Sequence, residues 1–171
     1  RYDLNGRHTL RLGLSRTYTL PQAKEISPYQ YIGAAFNSVG NPDLRPSDNY
    51  NADLKWDWYV GEGEIVTANG FYKYIKDPIS RTQTTGGGTY MRYENVSNHA
   101  TVAGVEIDVR KKIFDLGGKG NASHSLTAGA NASYTYTDVR VPNSTRLTYE
   151  SKGTQLEGAA PWLVNADLTY L

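Results

Sequence analysis

Cysteine is missing from this chain altogether, which excludes a disulfide scaffold, a thiolate metal site and a cysteine nucleophile. Charge of one sign is missing too: 18 Lys+Arg stand against 17 Asp+Glu, a net of +1. That near-balance leaves no electrostatic footprint for nucleic acid, which is not expected as a partner. Nowhere do apolar residues run for the ~18–20 positions that a membrane helix requires. Histidine is scarce: His8, His99 and His124 stand far apart, with no pair at metal-ligand spacing. Gly86-Gly87-Gly88 lacks the Lys-Ser/Thr that follows a phosphate-binding loop. The carboxylates Asp53 and Asp57 lie among other charges on one strand face, the pattern of a solvated wall rather than of an acid–base pair. These gaps leave no candidate catalytic residue, metal site or cofactor, and the chain is not expected to be an enzyme.

What is present belongs to strands and turns: 14 Tyr, 3 Trp and 17 Gly, with Thr, Asn and Ser throughout. Along residues 48–60, Tyr50, Ala52, Leu54, Trp56 and Trp58 alternate with Asn49, Asn51, Asp53, Lys55 and Asp57. A strand with that period has one apolar and one polar face. The same split recurs over residues 8–18, 101–111, 124–138 and 162–171. In the second of these, Ala103, Val105, Ile107 and Val109 oppose Gly104, Glu106, Asp108 and Arg110. Residues 64–76 alternate less cleanly, because Ile65 and Phe71 fall on the polar side. No helical stripe of comparable quality occurs.

Six strands need five connections, and these are unequal. Residues 19–47 and 139–161 are long links, residues 60–63 and 114–123 are short ones, and the link from Asp77 to about Gly88 is intermediate. Long loops at one end and short turns at the other are the wiring of an outer-membrane barrel, with the long loops outside the cell. The aromatic residues fit that layout. Trp56, Trp58 and Tyr170 fall near the short-turn end of the apolar face, and Tyr134, Tyr136 and Trp162 near the long-loop end. Together they form two membrane girdles around an apolar band. On the other face Asp53, Lys55, Asp57, Glu106, Asp108 and Arg110 would cost several kcal/mol each if buried unpaired. They are expected to face water, in a lumen or on the outside of a soluble sheet.

Five strings resemble the TonB-dependent receptor family, in the family's order and across nearly the whole chain. They are Ser15-Arg16-Thr17-Tyr18-Thr19-Leu20-Pro21-Gln22; Gly40-Asn41-Pro42-Asp43-Leu44-Arg45-Pro46-Ser47; Phe71-Tyr72-Lys73-Tyr74-Ile75-Lys76-Asp77-Pro78-Ile79; Tyr93-Glu94-Asn95-Val96 with Val102-Ala103-Gly104-Val105-Glu106; and Gly158-Ala159-Ala160-Pro161-Trp162-Leu163-Val164-Asn165-Ala166. Ser47 stands where the family usually has Glu.

The resemblance implies an all-β antiparallel meander of about six strands, part of a large transmembrane barrel in the bacterial outer membrane. Residues 1–171 would be a barrel segment, with a plug domain upstream and closing strands downstream. Both ends, starting at Arg1-Tyr2 and stopping at Tyr170-Leu171, read as cut within the fold. The implied function is import of a scarce nutrient (a metal chelate, haem, a corrinoid or a glycan), with the energy-coupling protein TonB acting through the plug. Outer-membrane lipid would surround the wall. The competing readings are a passive porin-like or adhesin barrel and a soluble extracellular β-sandwich that binds a ligand. In a receptor the ligand contacts belong on the long loops. Tyr29, Tyr31 and Phe36 on the first, Arg81 and Tyr90 on the second, and Arg146 and Tyr149 on the third are the candidates, because flat aromatic groups gain contact area at low entropic cost.

Overall fold

The structure, a computed structural model, describes residues 1–33, 37–85, 89–97, 99–116, 124–139 and 159–171. Six long strands form its wall: β2 (His8–Thr19), β5 (Ser47–Gly61), β6 (Glu64–Lys76), β9 (His99–Leu116), β10 (His124–Val139) and β11 (Trp162–Tyr170). They pair antiparallel in chain order, with β1 (Tyr2–Asp3) as a short edge beside β2. The meander expected from the alternation is therefore present, and the strands begin and end close to where the pattern does. A second sheet, β3 (Gln30–Ile32), β4 (Asn37–Val39), β8 (Thr89–Asn95) and β7 (Ile79–Thr85) in that spatial order, is built from the links at one end. The helix α1 (Ala23–Ile26) is a single turn.

Two boundaries differ from the sequence reading: β9 runs on to Leu116, into residues read as the 114–123 link, and the link after β6 holds a hairpin. The link that starts at Asp77 runs on to the start of β9, and its middle is the hairpin β7–β8, in register from Ile79↔Asn95 to Thr85↔Thr89. The cause is local: Thr82, Thr84, Thr85, Thr89, Tyr90 and Tyr93 are strand-favouring residues on either side of the glycine triplet. The triplet itself lies outside the described residues. By contrast, the β5–β6 turn is tight, with Gly63 at φ +76°, a conformation that glycine takes without strain.

Register decides which side chains share a face, because directly opposed residues of antiparallel strands point the same way. One row runs Leu12–Leu54–Gly70–Val105–Tyr134–Trp162, and the next runs Leu10–Trp56–Ala68–Ile107–Ala132–Val164. The row beyond these, on the opposite face, is Thr9–Asp57–Thr67–Asp108–Asn131–Asn165. Five separate alternations thus coincide into one continuous apolar surface and one continuous polar surface.

Exposure runs opposite to that of a soluble sheet. Leu12 (67%), Leu54 (54%) and Val164 (71%) are open, whereas Asp57 is 2% exposed. An apolar patch this large has no place in water and fits a lipid-facing wall. The soluble-sandwich reading needed Leu54 and Trp56 packed inside, and that is not how they sit.

Asp57 corrects one expectation. It lies on the polar face, but it is buried there rather than solvated. Arg11 approaches at 3.3 Å and Lys55 at 3.5 Å, and the Thr67 hydroxyl donates to Oδ1 at 2.9 Å. Oδ2 meets Arg11 as an ion pair without the alignment of a hydrogen bond. A carboxylate so enclosed is tolerable because two cations and a hydroxyl surround it. The misplaced Phe71 has a similar local cause. The tip of its ring lies against Gly104, where any Cβ would collide with the ring and with the Tyr134 carbonyl.

A candidate ligand-facing rim built by the loops

At the long-loop end of the wall, three chain segments converge on a small apolar cluster. Val96, Ala100 and Val139 are buried against Ile75, and Leu44 and Tyr93 are also buried. Ile75, Ala100 and Val139 occupy one ladder row on the otherwise polar face. The loops thus have an apolar footing on the inner side of the rim, not on the lipid side.

Hydrogen bonds around this footing use backbone groups that turns leave without partners. Asn41 donates from Nδ2 to the Tyr93 carbonyl at 3.0 Å, and its Oδ1 accepts from the Asp43 amide at 3.1 Å. Asn95 donates to the Asp77 carbonyl at 2.9 Å and the Arg45 carbonyl at 3.0 Å, while its Oδ1 accepts the Arg45 amide at 3.0 Å. The Ser47 hydroxyl also donates to the Asp77 carbonyl, at 2.8 Å. Asp77 itself holds φ +51°, a left-handed conformation that Asp tolerates better than most residues. Its carboxylate pairs with Arg45 at 3.1 Å. Gly40 passes so close to the end of α1 that a Cβ would overlap the Ser27 carbonyl. Residues 40–47, 77–79 and 93–96 are therefore one hydrogen-bonded knot, although they lie up to 52 positions apart in the chain.

The knot aims the second sheet. β4 pairs parallel with β8, setting Ser38 opposite Met91, and Tyr31 pairs with Ser38. Candidate residues from two different loops thereby enter one sheet: Tyr31 on β3, Arg81 on β7 opposite Tyr93, and Tyr90 on β8 opposite Thr84. Tyr29 precedes β3 and is exposed. Phe36, Arg146 and Tyr149 lie outside the described residues. Asn41, Asp77 and Asn95 had not been singled out as individual positions, though the strings containing them had. Among the described residues, no group of three or more His, Asp or Glu could hold a metal ion.

An apolar outward face, unequal loops and a loop rim footed inside the wall are features of an outer-membrane receptor barrel. The family model for the TonB-dependent receptor-like β-barrel matches residues 1–171. The chain belongs to this family. Its wall strands accordingly sit in the bacterial outer membrane. Two curated relatives, the iron-regulated outer membrane virulence proteins of two Vibrio cholerae serotype O1 strains, are each 30% identical over 81 residues. Those residues are 47% of this chain and 12% of the relative. Among solved structures, the siderophore receptor PirA from Pseudomonas aeruginosa superposes with a TM-score of 0.60 at 19% identity, over 79% of this chain and 23% of its own. A mutant of the ferric enterobactin receptor PfeA from the same organism, in complex with enterobactin, gives 0.57 at 21% identity, over 79% and 21%. These likenesses establish a shared fold, and the chain spans only a fraction of each of these proteins.

Proposed function

We propose that this chain is part of the wall and loop rim of a receptor that captures a ferric siderophore outside the cell and imports it, driven by the energy-coupling protein TonB acting on a plug domain. The observation that carries the reading is the family match over all 171 residues. Iron as cargo is favoured over haem, a corrinoid or a glycan by the names of the relatives and of the structural neighbours. The polar face, with Asp53, Lys55, Glu106, Asp108 and Arg110, would line the water-filled lumen, with Asp57 buried beneath Arg11 and Lys55. The loop sheet with Tyr29, Tyr31, Arg81 and Tyr90 would meet the ligand first. Phe36, Arg146 and Tyr149 are proposed as further contacts. Trp56, Trp58, Tyr134, Tyr136 and Trp162 would sit at the two membrane interfaces, where an apolar ring with a polar tip is most stable. Girdle residues need not share one ladder row. In strands tilted by ~35–45° and ~4.8 Å apart, a row climbs roughly 3 Å per strand.

The test uses the full-length receptor, with radiolabelled ferric enterobactin, haem and cobalamin as probes. Uptake of the ferric chelate, lost without TonB, is the expected result. Deleting residues 29–36 should abolish chelate binding while the barrel keeps its heat-modifiable gel mobility. Uptake of haem or cobalamin with no ferric chelate transported would overturn the iron reading. Unchanged affinity after the deletion would move the site away from this loop.

A further inference from the structure

The lipid-facing side of the wall has a dent. Gly70 lies mid-way along β6, four residues from Val66 and four from Tyr74, and is the one member without a side chain in the row Leu12–Leu54–Gly70–Val105–Tyr134. Nothing lies within 4 Å of where its Cβ would be. Around that gap a pocket of about 490 Å³ is walled by Leu12, Leu54, Tyr72, Val105, Tyr134 and Tyr136. The dent is shallow and open to the outside, and its lining is hydrocarbon and aromatic ring.

Cations crown the pocket on its loop side. Arg16 stands four residues beyond Leu12 on β2, about 13 Å along the strand. Asp48 holds one edge of its guanidinium at 3.1 Å and the Tyr50 ring lies 5.3 Å beneath, yet Arg16 remains 63% exposed. Lys76, exposed on the same face, pairs in register with Asp48 on one side and His99 on the other. Among the described residues, the acids at this level are Asp48 and, two strands beyond Lys76, Asp138. Over β2–β6, above the dent, two cations therefore stand against one anion, a local excess of one positive charge.

We infer that this is a seat for one phosphorylated, acylated lipid of the outer leaflet, with an acyl chain filling the dent at Gly70 and the phosphate meeting Arg16 and Lys76. A gap left by one missing side chain in an apolar wall suits a hydrocarbon chain, and cations about 13 Å along the strand from it supply the matching charge. The inference rests on the outer-membrane wall and is independent of what the receptor carries.

Native mass spectrometry of the full-length receptor in detergent tests it, with lipid A as the anionic probe and dioleoylphosphatidylcholine as the zwitterionic one. The expected result is a single bound lipid A, lost in Gly70→Leu, whose side chain fills the slot. Arg16→Gln and Lys76→Gln should each weaken lipid A binding roughly fivefold and leave phosphatidylcholine unaffected. Unchanged heat-modifiable mobility shows that each variant folds. Full lipid A occupancy in Gly70→Leu would overturn the acyl seat, and indifference to both charge variants would overturn the phosphate seat. Equal binding of the two lipids, or a receptor dimer that Gly70→Leu dissociates, would replace the proposal with an unselective surface or a protein interface.

Discussion

The middle of the wall and the knot at its rim hold their shape by different means. At the level of Leu54 and Ile107, backbone ladders close each strand to its neighbour, and outward side chains have no protein beyond them. At the knot the backbone turns too sharply for ladders, and a few side chains, Asn41, Ser47 and Asn95, take up the orphaned carbonyls and amides. The wall tolerates variety so long as a residue suits its solvent. The knot depends on individual atoms.

The sharpest way to break this comparison is to change solvent compatibility in the wall. Ile107→Arg places a cation on the lipid-facing band and should destabilise the full-length barrel by about 2–4 kcal/mol in denaturant unfolding from lipid vesicles. Its chain neighbour, the exposed Glu106 of the opposite face, should accept Gln with little effect. Equal penalties at the two positions would remove the distinction between the faces.

Asn95→Ala removes the partner of two carbonyls and one amide. A loss of about 1–3 kcal/mol is expected, confined to the rim. Limited proteolysis of residues 77–98 should accelerate while wall unfolding stays put. Cleavage unchanged from the parent would mean that the apolar footing of Val96, Ala100 and Val139 suffices to hold the loops.

The smallest effect belongs to Arg45→Ala. Arg45 is mostly exposed, so its ion pair with Asp77 is worth below about 1 kcal/mol, and less as salt is raised. A larger loss, insensitive to salt, would show that the side chain packs the knot rather than merely pairing across it.

Much of this was legible beforehand because a β-strand writes its two environments into alternate residues. Tyr50 to Trp58 declare one face and Asn49 to Asp57 the other, without reference to any partner. The exceptions were not legible. Phe71 looked misplaced until Gly104, 33 positions on, proved to give it room. Asp57 looked solvated because a sequence does not show that Arg11, Lys55 and Thr67 surround it.

Period-two hydrophobicity by itself determined the strands and their two unlike faces, because that signal is local and repeats along each strand. Where the loops go was decided only in three dimensions. Pairing β4 with β8 and bringing Asn41, Asp77 and Asn95 into one knot requires contacts across tens of residues. No local period encodes them, since each turn residue reveals its partner only when the strands on either side have been laid in register.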